Sequence, residues 1–359
     1  MSPKLTRADL DGLPSYVPGR SPADLARELG LPEAIKLASN EVPYGPLPGV
    51  VEAVVEATAA VHRYPDLGVV ELREALAEHY DVSPDRVATG CGSVALCEHL
   101  AKVTCLPGDE ILYAWRSFEA YPIIAATTGA TSVRVPNTGQ HGHDLRSMSA
   151  AITDRTRMIL VCNPNNPTGT TVRRAELDRF LDSVPDDVLV VLDEAYREFV
   201  TDDEVPDGLL AYGDRANVVV LRTMSKAWGL AGLRIGYLIA SPEVAATVRK
   251  VVTPFSTNAV AQAAALAALR QADEVRRRCA LVVAERERVT TAIRALVPDV
   301  PASQANFVWL PLGTASAEFG AACEKQGVIV RPFQGDGVRV TIGTPAENDA
   351  FLKAAATAL

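Results

Sequence analysis

Between Asp85 and about Lys250, six short β-rich runs alternate with helical stretches or Gly/Pro loops. The runs are Val87–Thr89, Glu110–Tyr113, Thr131–Val135, Arg157–Cys162, Val188–Asp193 and Asn217–Leu221. Short apolar strands separated by helices bury both faces of a mostly parallel sheet, so this pattern predicts an α/β domain. In such sheets ligands sit beyond the carboxyl ends of the strands. The residues that follow each run therefore carry the functional reading.

The flanks differ from this core. Residues 1 to about 35 are rich in Pro and Gly and are expected to form an arm lying over another surface. Gly49–His62 and Val69–Tyr80 read as helices. Beyond residue 250, a long helical region (Val260–Leu296) leads into a smaller α+β part containing Asn306–Leu310, Gly327–Arg331 and Gly337–Gly343, closed by a helix over Pro345–Leu359. The expected organisation is an arm (1–35), a large domain (36–250) and a small C-terminal domain (251–359).

Bulk properties narrow the partners. The 359 residues carry a net charge of −9 with no basic block, which argues against nucleic acid and anionic membranes. No apolar run reaches the length of a membrane span or forms a signal core. The six cysteines form no CxxC pair, and they read as reduced thiols of a cytoplasmic protein, neither a disulfide frame nor a metal site.

Five stretches stand at strand ends. Thr89-Gly-Cys-Gly92-Ser93-Val94 is a Gly-rich turn opening a helix, whose first amides make an anion site. Phe118, in Trp115–Tyr121, is placed to stack on a flat ring or simply to pack in the core. Asn163-Pro-Asn165-Asn166-Pro167-Thr-Gly169 fixes a rigid loop with amide donors. Asp193-Glu-Ala-Tyr196 puts a carboxylate where desolvation is expensive, which is sensible opposite a pyridinium nitrogen. An Asp there also fits a helix cap. Finally, Leu221–Gly236 places Lys226 among small residues and the hydroxyls of Thr223 and Ser225, with Arg234 eight residues on. A desolvated lysine becomes a nucleophile able to form an imine, and the hydroxyls and guanidinium suit a phosphate.

Taken in order, these motifs resemble the fold-type I aminotransferases that use pyridoxal 5′-phosphate (PLP), in the branch with histidinol-phosphate and actinobacterial aromatic amino acid aminotransferases. The resemblance runs from Tyr16 to Gly343. It implies that Lys226 holds the cofactor covalently and moves the proton during catalysis, and that Asp193 pairs with the ring nitrogen. It further implies Tyr196 and Asn166 at the phenolic oxygen and Phe118 against the ring. The phosphate would be held by the amides of Gly92, Ser93 and Val94 together with Thr223, Ser225 and Arg234. Tyr64 matches a tyrosine that reaches the phosphate from a partner subunit, implying a homodimer. Arg339 matches the arginine for the substrate α-carboxylate, while Tyr16, Asn40 and Arg331 match positions lining the substrate pocket.

For the substrate, Ser93-Val94-Ala95 stands where histidinol-phosphate enzymes carry an acidic pair, and TGCGSVALCEHL, WRSFEAYP and SQANFVWLPLG look like the aromatic group. The expectation is ping-pong transamination of an aromatic amino acid with 2-oxoglutarate. Arg331, which matches a phosphate-holding arginine, keeps histidinol phosphate as the alternative substrate. A PLP lyase, such as threonine-phosphate decarboxylase, would share the cofactor residues. A DNA-binding regulator of this fold is not expected, because only some 35 non-basic residues precede Leu37-Ala-Ser-Asn40-Glu41.

Overall fold

Alternation of apolar side chains along four of the strands sends neighbours to opposite faces, and both faces are covered. In the computed structural model, which describes residues 5–7, 10–13 and 20–359, twelve strands form three sheets among those residues. They are β1 (Ile35–Lys36), β2 (Val87–Cys91), β3 (Glu110–Trp115), β4 (Thr131–Pro136), β5 (Thr156–Cys162), β6 (Leu189–Asp193), β7 (Val218–Thr223), β8 (Ile235–Ile239), β9 (Phe307–Leu310), β10 (Val328–Ile329), β11 (Arg331–Phe333) and β12 (Gly337–Thr341). The large sheet runs in the order β2-β8-β7-β6-β5-β3-β4, and β8 alone is antiparallel to its neighbours.

Ile111, Tyr113, Met158, Leu160, Val191, Val219 and Leu221 face a cluster with Leu96, Leu100, Tyr121 and Ile124 from the helices Gly92–Thr104 and Ala120–Thr128. Their sequence neighbours Leu112, Ala114, Ile159, Val161, Val190 and Val218 face Leu177, Phe180 and Leu181 of the helix Arg174–Ser183 on the other side. Two-sided burial of near-continuous apolar strands is what a parallel sheet requires. The mostly parallel α/β architecture expected from the runs is therefore borne out.

Three differences have physical causes. The strand β8 was not among the runs expected; Gly236 and Tyr237 interrupt its apolar pattern, and it sits beside the motif around Lys226. The expected helical region Val260–Leu296 divides into Ala259–Leu269 and Ala272–Arg294. Asp273 and Glu274 in the first turn of the second helix favour a fresh N-terminus through the helix dipole. Within the expected arm lies a helix, Pro22–Leu29, started by Pro22 and ended by Gly30 in the left-handed conformation.

A second, antiparallel sheet has the order β11-β12-β9, and β1 pairs in parallel with β10. Residues just after β1 are fastened to this part of the chain: Leu37 N donates to Ile329 O at 2.8 Å, and Thr341 N donates to Leu37 O at 2.9 Å. Asn40, at φ 55°, is pinned by Thr341 Oγ1 and by the side-chain amide of Asn306, which donates to its carbonyl. The segment 37–40 thereby lies between the small sheet and the carboxyl edge of the large one.

Candidate active site

At the carboxyl edge of the large sheet, one cavity gathers Asn40, Ser93, Val94, Phe118, Asn166, Asp193, Tyr196, Thr223, Ser225, Lys226, Arg234, Arg331 and Arg339. The parallel strands β2, β5, β6 and β7 each deliver residues at their ends. The reversed strand β8 adds to the same edge from its start, because Arg234 immediately precedes it. Gly236 is required there: a Cβ at this position would lie 2.2 Å from the Ser93 backbone nitrogen. Its register partner in β2 is Gly90, and the close approach presses β8 against the turn at residues 90–93.

The floor of the cavity is acidic. Asp193 is 5% exposed. Its Oδ2 accepts a hydrogen bond from Tyr121 Oη at 2.7 Å, while its Oδ1 is buried with no partner among the described residues. Burial raises the Asp193 carboxyl to about 6, opposed by the hydrogen bond from Tyr121. A buried, unpaired carboxylate oxygen is costly unless a donor meets it.

Lys226 approaches from the other side. Its Nζ donates to Ser39 O at 3.0 Å and lies 5.9 Å from the Tyr196 ring centroid. Burial, reinforced by the Arg339 cation, lowers the Lys226 ammonium to about 7. Tyr196 Oη accepts from Asn40 Nδ2 at 2.9 Å, and burial pushes its phenol above the usual range. Its ring packs edge-on against Phe307.

The third feature is a cationic cradle. Gly92, at φ 79°, opens the thirteen-residue helix Gly92–Thr104, whose first amides have no partner within the helix. A Cβ on Gly92 would sit 2.6 Å from Arg234 Nη2, so glycine is what lets the guanidinium lie over the helix start. Arg234 Nη1 also donates to Ser225 Oγ at 3.4 Å and to Ala231 O at 2.9 Å. Thr223 Oγ1 donates to Ile235 O and accepts from Ser225 N, which shapes the turn that carries Lys226.

Across the opening stand two arginines from the small sheet, in register on adjacent strands: Arg331 on β11 and Arg339 on β12. Arg339 Nη1 donates to Asn166 Oδ1 and its Nη2 to Ala38 O, both at 2.6 Å. Arg331 Nη2 is 3.0 Å from Glu119 Oε2.

One of the residues named from sequence lies elsewhere. Tyr64 is outside the cavity, 82% exposed and stacked on Phe255 with ring centroids 4.5 Å apart. Tyr16 falls outside the described residues. Sequence reasoning assigned no role to Ser39, Tyr121, Glu119 or Phe333, all of which lie in or under the cavity. Phe333 was findable: it is two residues from Arg331 on a strand, hence on the same face. Tyr121 follows Phe118 by three residues at the start of a helix, but nothing local announces that its hydroxyl reaches Asp193.

These features fit PLP on their own chemistry. The orphaned Asp193 oxygen answers a ring N–H, and the helix start with Arg234 and Ser225 answers a phosphate. Lys226 is a reactive amine between them.

The comparisons with known proteins point the same way. The model of the family "Aminotransferase class I and II" matches residues 32–354. A protein named aromatic amino acid aminotransferase from Streptomyces avermitilis is 57% identical over 352 residues, 98% of this chain and 96% of that protein. One of the same name from Streptomyces coelicolor is also 57% identical over the same coverage. Among solved structures, histidinol-phosphate aminotransferase from Sinorhizobium meliloti in complex with pyridoxal-5′-phosphate superposes with a TM-score of 0.86 at 27% identity, covering 99% of this chain and 97% of that one.

Proposed function

The chain belongs to the class I and II aminotransferases, and from that premise we propose that it transfers the amino group of an aromatic amino acid to 2-oxoglutarate, using PLP. The observation that carries this reading is the pairing of a lysine lowered to about 7 with a buried aspartate oxygen that has no partner among the described residues, in one cavity. The names of the relatives at 57% identity support the aromatic substrate.

Each residue then has a task. Lys226 holds the cofactor covalently, and its freed amine moves the proton at the substrate α-carbon. When bound, the cofactor supplies a cationic ring that accepts the electron pair released there. Asp193 Oδ1 holds the ring N–H proton, kept in place by the Tyr121 hydroxyl on the other oxygen. Tyr196 and Asn166 orient the ring's phenolic oxygen, and Phe118 contacts its face. The amides of Gly92, Ser93 and Val94, with Thr223, Ser225 and Arg234, bind the phosphate. Arg339 grips the α-carboxylate bidentately, and Asn40 orients Tyr196 and the substrate.

Arg331 belongs to the side-chain end of the pocket. Its carboxylate neighbour Glu119 leaves that end less cationic than a phosphate ester requires, which favours the aromatic reading over histidinol phosphate. The reading extends to a cytoplasmic homodimer in which Tyr64 completes the partner's phosphate site. It takes 36–250 as the large domain, 251–359 as the small one and 1–35 as an arm. No helix among the described residues is long and apolar enough to cross a membrane.

The test is product analysis. The loaded enzyme, given phenylalanine and 2-oxoglutarate, forms phenylpyruvate and glutamate in equal amounts. Carbon dioxide release in place of the keto acid would make it a lyase. Lys226→Ala abolishes turnover yet retains PLP through the phosphate contacts; normal turnover by that variant would remove Lys226 from its role.

A further inference from the structure

We propose that Glu119 sets the charge selectivity of the substrate pocket by holding Arg331, so that a side-chain anion must displace it whereas a neutral aromatic side chain leaves the pair intact. This rests on the aminotransferase reading above and adds a positioning residue that acts through Arg331.

Glu119 occupies the N-cap position of the helix Ala120–Thr128, where the short side chains of Ser, Thr, Asp and Asn accept from the first amides. It makes no such side-chain cap. Its carboxylate instead crosses to the small sheet and meets Arg331 Nη2 at 3.0 Å. The two side chains are 31% and 15% exposed, and both residues line the cavity. Screening by water is therefore weaker than for a surface pair.

The neighbouring arginine is treated differently. Arg339, directly across the ladder, donates to the neutral oxygens of Asn166 and Ala38. Arg331 faces an anion supplied by its own chain. Around Phe333 the same device recurs: the Arg116 guanidinium lies 5.6 Å from that ring and is ion-paired with Asp336. Arg331 also lies 5.6 Å from the Phe333 ring. Phe333 thus has three guanidiniums about it, that of Arg339 at 5.7 Å included, and two of them are paired with a carboxylate. An apolar ring docks there without separating charges. A phosphate or a side-chain carboxylate, that of the acceptor 2-oxoglutarate included, must displace Glu119 from Arg331 to bind there.

Binding of two unreactive acids to the PLP-loaded enzyme measures this directly. 3-Phenylpropionate carries one carboxylate and an aromatic ring; glutarate carries two carboxylates. Glu119→Gln, which keeps size and removes charge, tightens glutarate relative to 3-phenylpropionate by about tenfold, the equivalent of about 1.4 kcal/mol. The double variant Glu119→Gln/Arg331→Gln shows no such gain over Arg331→Gln alone. A merely structural role for Glu119 would weaken both acids together. The proposal is overturned if the ratio is unchanged in Glu119→Gln, or if the gain persists without Arg331. Failure of the wild-type enzyme to transaminate phenylalanine would instead count against the aromatic reading, and the binding ratio would still report on Glu119.

Discussion

An amine buried among cations keeps its place by giving up its proton, and Lys226 does so near neutrality. The shift has a definite sign. The folded chain loses the proton at about 7, whereas the unfolded chain keeps it up to about 10.5. Between those values the unfolded state binds more protons, so the cofactor-free fold gains stability as pH rises through that window, and the gain is lost below about 7. Capture of added PLP, followed by the visible absorbance of the lysine-bound cofactor, accelerates with pH and reaches half its maximum near 7. Arg339→Gln removes the largest cationic contribution and moves that midpoint upward; a midpoint in the ordinary lysine range in the wild-type chain would contradict the account. At this scale the sequence was most informative where chemistry is unusual for a position: a lysine, an aspartate or paired asparagines at strand ends. It was silent about Tyr121 and Glu119, whose partners lie 72 and 212 residues away. Contacts of that kind are made by topology.

Elements hold the cradle through close backbone approach, and that makes small residues indispensable. Gly236→Ala drives a methyl group into the Ser93 nitrogen, and Gly92→Ala forces a residue with a Cβ into φ 79° against Arg234. Each change is expected to cost about 1–3 kcal/mol of stability and to weaken PLP binding, measured by denaturation and by cofactor titration. A second junction lies one layer below. Arg222 on β7, 4% exposed, pairs with Glu194 at 2.7 Å and Asp207 at 2.8 Å. Arg222→Met leaves Glu194 buried beside another carboxylate and is expected to cost about 3–5 kcal/mol in a denaturation midpoint. Loss of less than about 1 kcal/mol would mean that water or relaxation replaces the arginine. Six strands of the large sheet were legible because their apolar runs are bounded by breakers. The strand β8 was not, since the glycine that lets it approach the Ser93 turn also dilutes its pattern. The break between Ala259–Leu269 and Ala272–Arg294 was hidden for the opposite reason: no Pro or Gly marks it.

For the whole molecule, the exposed apolar side chains Val51, Val55, Val61, Tyr64, Leu67 and Val70 cluster in the chain between residues 51 and 70. Single exposed apolar residues need no explanation, but six within twenty residues of chain motivate a test for a partner that covers this segment. With the proposed role of Tyr64 in a neighbouring subunit, sedimentation is expected to give a dimer. Tyr64→Ala is expected to lower PLP affinity in that dimer; a monomer with full PLP affinity would exclude a contribution from a second subunit. The α/β architecture was readable because periodicity is local, and the residues of the proposed cofactor site could be named because their motifs keep their order along the strands. The substrate was less readable, since the proposed source of specificity is a long-range pairing of Arg331 with Glu119. The most direct measurement is therefore a side-by-side comparison of phenylalanine and histidinol phosphate as amino donors to 2-oxoglutarate, on the same PLP-loaded preparation. The account predicts much faster turnover of phenylalanine. Faster turnover of histidinol phosphate would contradict it and make Arg331 the grip on a phosphate.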